Sequence, residues 1–75
     1  MRNVNDAIGK AISKLRLGLG LSQEELAERA GIHRTYVSQL ERGIKSPTLA
    51  VLMKIAKALG TRSSRLLRSV EDELD

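Results

Sequence analysis

The chain has 75 residues, with 13 Lys and Arg against 9 Asp and Glu for a formal net charge of +4, one His, one Tyr, and no Cys, Phe or Trp. That length holds one small domain with an aliphatic core. The composition excludes a disulfide framework or thiolate metal site and a His-based metal cluster or triad, and no apolar run nears the roughly 18 residues that a membrane crossing needs.

Val4, Ile8, Ala11, Ile12, Leu15 and Leu19 recur every three or four residues, which predicts a first helix from about Asn5 to Gly18. Asn5 or Asp6 can cap its start, and Gly18 and Gly20 can stop it. Lys10 and Lys14 lie off the apolar stripe. The start MRNVNDAIGK is amphipathic and unlike a signal peptide, so the expectation is a soluble, cytoplasmic protein.

Residues 22–43, SQEELAERAGIHRTYVSQLERG, carry the densest pattern. Ser22 can cap a second helix running to Ala30, with Glu25 three residues on, able to reach back to the cap. Leu26, Ala27 and Ala30 keep the helical period, and Gly31 ends it where a left-handed residue is needed. A third helix spans about His33 to Arg42. Val37, Leu40 and Ile44 fall on one face, and Arg34, Thr35, Ser38 and Gln39 on the other. Two short helices joined by a tight glycine turn match the helix-turn-helix layout. The polar outward face suits base edges in the major groove.

Ser22-Gln23, Glu25-Leu26-Ala27, Gly31, Val37-Ser38, Leu40-Glu41 and Gly43 resemble the helix-turn-helix of the phage-repressor and Cro-like family, also called the xenobiotic-response-element type. His33-Arg34-Thr35-Tyr36-Val37-Ser38 and Glu41-Arg42-Gly43 are also similar to the controller proteins of restriction–modification systems. The likeness covers roughly residues 4–70. It implies an all-α, compact five-helix bundle with the helix-turn-helix at helices 2 and 3. It also implies an ion pair between Arg16 and Glu41 tying helix 1 to helix 3, the rival role for Arg16 being a phosphate contact. Gln23 would hold a backbone phosphate or brace a recognition-helix side chain, and the Tyr36 hydroxyl would reach phosphate.

The chemistry of the remaining polar residues extends this reading. Arg34 can take guanine O6 and N7 together, or hold a phosphate. Thr35 can set a methyl on thymine or a hydroxyl on a base edge, and Ser38 and Gln39 lie one turn further on the same face. His33 caps helix 3 or approaches a phosphate. Arg42 and Lys45 flank Gly43 and are read as phosphate clamps. Glu24, Glu28 and Arg29 read as a solvated face.

Ser46-Pro47 resets the chain, Thr48 can cap helix 4, and its apolar positions are Leu49, Leu52, Ile55, Ala56 and Leu59, with Val51 and Met53 at the stripe's edge. Gly60 closes it. Ser63 or Ser64 can cap a last helix with Leu66, Leu67 and Val70. Leu59, Leu66, Leu67 and Val70 are expected to form a dimer interface; the alternative is that helix 5 covers helix 1 in a monomer. Residues 1–70 are thus read as the DNA-binding and dimerisation domain, and 71–75 as a frayed acidic tail. Glu71, Asp72, Glu73 and Asp75 hold four of the 9 acids, leaving 13 bases against 5 acids, a net +8, in the rest. A basic body suits a polyanion.

The function expected is a sequence-specific DNA-binding transcriptional regulator, a homodimer on a near-palindromic double-stranded operator, of the controller kind or a phage-type repressor. No enzyme, cofactor, small-molecule ligand or membrane role is read from the sequence. Glu24, Glu25 or Glu28 could meet RNA polymerase in an activator. The rival class is an antitoxin or adaptor that uses the fold to bind a protein.

Overall fold

The computed structural model describes residues 3–75, which form five helices and no strand: α1 (Val4–Gly18), α2 (Gln23–Ala30), α3 (Arg34–Glu41), α4 (Leu49–Ala58) and α5 (Ser63–Leu74). The all-α five-helix fold expected from the sequence is the one found. Side chains set most of the helix starts. Ser22 and Glu25 exchange both bonds of a capping box at 2.9 and 3.0 Å, and the Val51 N–H donates to Thr48 Oγ1 at 3.1 Å. Left-handed glycines end α2 at Gly31 (φ 69°) and turn the chain at Gly43 (φ 76°) after α3.

Two helix starts differ from expectation. α1 begins one residue earlier, at Val4, because Asn3 is extended and its Oδ1 accepts from the Asp6 N–H at 2.8 Å. Asn5 and Asp6 therefore lie inside the first turn instead of capping it. Neither Ser63 nor Ser64 caps α5; Arg62 holds the cap position without a side-chain bond.

The core is aliphatic. Ile12, Val37, Leu26, Leu40, Ile55 and Leu66 are fully buried. α2 packs on α3, α4 backs α2, and α5 lies along α1 and closes on α4. α1 also meets α3, at a glycine: a Cβ on Gly9 would sit 2.6 Å from the Glu41 carbonyl oxygen and closer still to that of Leu40. Only a residue without a side chain lets the helices approach so far. Not every periodic position is interior. Val4, Leu19, Ile44 and Leu49 are exposed, the first two at the ends of α1, the third in the loop after α3 and the last in the first turn of α4.

The far end bears on two expectations. The acidic tail, expected to fray, continues α5 as helix to Leu74, which packs against the core, while Lys14 Nζ donates to Glu73 at 2.5 Å. And three of the four residues expected at a dimer interface already belong to this chain's own core: Leu59 is 5%, Leu66 0% and Val70 5% exposed. They have almost no surface left to give a partner. Leu67, at 41%, does. The apolar stripe of α5 faces α1, which accounts for the surplus that the sequence suggested.

Candidate nucleic-acid interface

The beginnings of α2 and α3 open on one groove, lined by Gln23 and Glu24 from α2 and by Arg34, Thr35 and Ser38 from α3. The turn at Gly31 brings them there, since the Ile32 N–H bonds back to the Ala27 carbonyl at 3.0 Å and reverses the chain within three residues. At each helix start the leading N–H groups have no helical acceptor and favour an anion. In α2 the Ser22 hydroxyl takes that of Glu25, which leaves those of Gln23 and Glu24. In α3 the His33 Nδ1 accepts from the Thr35 N–H at 3.2 Å. His33 is therefore the cap of α3, and Nε2 is the nitrogen it has left for a phosphate.

Beneath the groove lies a buried polar node. Arg16 is 9% exposed. Its Nε and Nη2 donate to the two Glu41 carboxylate oxygens at 2.7 and 2.9 Å, and its Nη1 donates to the Leu21 carbonyl at 2.8 Å. The Gln23 amide adds a third donor to Glu41, at 2.9 Å. One carboxylate thus holds α1, α2 and α3 together. The hydrogen bond to Glu41 raises the Arg16 pKa above its ordinary value, opposed by burial and helped by the Coulomb attraction, so the charge persists. Among the described residues no buried side-chain polar atom lacks a partner.

The structure gathers some expected site residues and separates others. Arg34 and Thr35 are exposed, and Ser38 is half-buried in the same groove. Gln39, half-buried, lies outside the groove lining, and Tyr36 packs its ring partly on the core. Arg42 and Lys45 are exposed beyond the end of α3, next to Gly43. The side chain of Gln23 bonds Glu41, so its backbone N–H is the group it can offer a phosphate. The sequence reading passed over Glu24, assigned to a solvated face: its Oε2 accepts from Arg34 Nη1 at 3.0 Å. No helical spacing shows a pair ten residues apart across a turn. Among the described residues no three His, Cys, Asp or Glu are grouped to hold a metal, and no helix is long and apolar enough to cross a membrane.

Residues 12–66 match the helix-turn-helix family. The control protein C.BamHI of Bacillus amyloliquefaciens is 39% identical over 66 residues, which cover 87% of this chain and 82% of that protein. The crystal structure of the clp gene regulator ClgR from C. glutamicum superposes with a TM-score of 0.93 at 28% identity, covering 100% of this chain and 97% of that one. The restriction–modification controller protein C.Esp1396I, crystallised as a tetramer on its natural 35 base-pair operator, has a TM-score of 0.89 at 28% identity, with 99% and 97% covered.

Proposed function

The chain belongs to the helix-turn-helix family of DNA-binding transcriptional regulators, and from that premise we propose that it acts in the cytoplasm as a homodimer on a near-palindromic operator, controlling restriction–modification genes. The observation that carries the reading is the groove at the starts of α2 and α3, polar, outward and fixed from beneath by the Arg16–Glu41–Gln23 node. A rigid support holds the side chains of α3 in one orientation before DNA arrives, which lowers the ordering cost of binding.

Within the groove Arg34, Thr35 and Ser38 read base edges, with Gln39 further along α3. The first N–H groups of α2, His33, the Tyr36 hydroxyl, Arg42 and Lys45 hold the phosphates on either side. Residues that touch only phosphate set affinity and its salt dependence, and those on base edges set sequence. The second subunit has a surface to use. Ile44, Leu49 and Met53 are 60%, 67% and 53% exposed, and Leu49 and Met53 share one face of α4. With the exposed Leu67 of α5 they are the apolar residues we assign to the dimer contact. Two subunits so joined would place two copies of α3 about one DNA turn, roughly 34 Å, apart. The likeness to C.BamHI and to C.Esp1396I on its operator supports the controller assignment. The full-length likeness to ClgR favours a second reading, a dimeric regulator of other genes.

The test is a selection from a random duplex library at about 0.15 M salt, followed by sequencing. A two-fold symmetric motif with half-sites about ten base pairs apart supports the dimer. Two adjacent motifs support a controller, and a single one the second reading. Binding that enriches no sequence and vanishes with salt defeats both.

A further inference from the structure

Glu24 is the second residue of α2 and Arg34 the first of α3, and the turn between them brings Oε2 and Nη1 to 3.0 Å. Both side chains are 68% exposed. An ion pair this wet adds little to stability, because water screens it and two long side chains must be ordered to make it. The fold does not require it; α2 is already capped by Ser22 and Glu25. Yet it occupies the guanidinium best suited to read a guanine, and it sets a carboxylate in a groove that must approach a polyanion.

We propose that Glu24 is a selectivity residue, which restrains Arg34 on DNA of arbitrary sequence and yields it only where a guanine offers O6 and N7. This rests on the operator reading above. On a random duplex, leaving Glu24 for a phosphate exchanges one charge-assisted bond for another, and the stranded carboxylate then faces the phosphates. Little is gained. On a guanine, Arg34 makes two parallel bonds, a contact worth about tenfold or more in discrimination. Arg34 gives up a single bond to Glu24 and gains two on the base, so the exchange is favourable there and not on a lone phosphate. The carboxylate therefore weakens binding most where no guanine compensates. Gln23, the neighbouring α2 side chain, cannot serve in this way because its amide is held by Glu41.

The experiment measures binding of the parent, Glu24→Gln, Arg34→Ala and the double variant to the selected operator and to a scrambled duplex across a salt series. Glu24→Gln should tighten the scrambled duplex about five- to tenfold and steepen its salt slope by about one, as Arg34 becomes available to phosphate. Operator affinity should change far less, so the specificity ratio falls. In the Arg34→Ala background the same substitution should lose most of its effect, since the pair acts as a unit. Thermal unfolding of Glu24→Gln should match the parent, which separates selectivity from folding. Weaker operator binding with the scrambled duplex unchanged would overturn the proposal and make Glu24 a buttress for Arg34. An equal gain with and without Arg34 would also overturn it, leaving bulk charge as the cause. A parent that discriminates no sequence would bring down the operator reading itself, and this proposal with it.

Discussion

Glu41→Ala should unfold this domain far more readily than any surface change. The carboxylate removed is 7% exposed and accepts three donors, two from an Arg16 side chain that is 11% exposed and one from Gln23. After the substitution the guanidinium keeps only the Leu21 carbonyl, and a positive charge stays in a nearly dry site. Stranding one partner of a buried pair costs about 3–5 kcal/mol. A chain of 75 residues has roughly 4–11 kcal/mol to lose, so the loss is from about a quarter of the stability to all of it. At about 4–8 °C per kcal/mol for a domain of this size, the melting midpoint should fall by about 12 °C or more. The assay is helical circular dichroism against temperature at pH 7, repeated with Arg16→Met/Glu41→Leu. The paired apolar replacement should recover much of the loss, because it strands no charge. A Glu41→Ala midpoint within about 2 °C of the parent would refute the reasoning, since a wet or idle pair behaves that way.

The remaining expectations use the same logic elsewhere. Gly9→Ala drives a methyl into the Leu40 and Glu41 carbonyls, backbone that cannot rotate away; it should cost about 1–3 kcal/mol in denaturant unfolding, and no loss would mean α1 slides freely on α3. Arg34→Ala should lower discrimination between operator and random duplex, whereas Arg42→Ala should weaken both alike and flatten the salt slope by about one. Arg42→Ala that spared random-duplex binding would reverse these roles. The Ser22 N–H bond, then the Ser22 hydroxyl, holds the Glu25 pKa below the usual carboxylate range. Its stabilisation is therefore full above the ordinary carboxylate pKa and lost as pH falls through the lowered folded value. Glu25→Gln should be less stable than the parent at neutral pH and equal to it in strong acid, as pH-dependent melting would show.

What could be read from the sequence was local. Ser22 and Glu25, Gly31, Gly43 and Thr48 act through neighbours three or four residues away, and each sits in the structure where that chemistry puts it. The Arg16–Glu41 contact spans 25 residues and entered through family likeness, not through spacing. Where partners are distant in sequence and no likeness helped, the sequence did not show which residues would meet. The period of α5 showed that Leu66 and Val70 would be covered, but not by what; both are buried within this chain, where α5 packs on α1 and α4. Counting acids at 71–75 suggested fraying, because the sequence does not show that Lys14 and the core wait beside Glu73 and Leu74. Glu24 was missed for the same reason: Arg34 reaches it through space, across a turn.

The bond from Lys14 to Glu73 joins positions 59 apart, and α1 lies along α5 for much of its length. A ribosome delivers these partners at opposite times. α2 and α3, separated by three residues, can close as soon as they emerge, while the part of the α1 stripe that α5 covers stays bare until residue 74 has cleared the exit tunnel. The reading head is therefore ready before its frame.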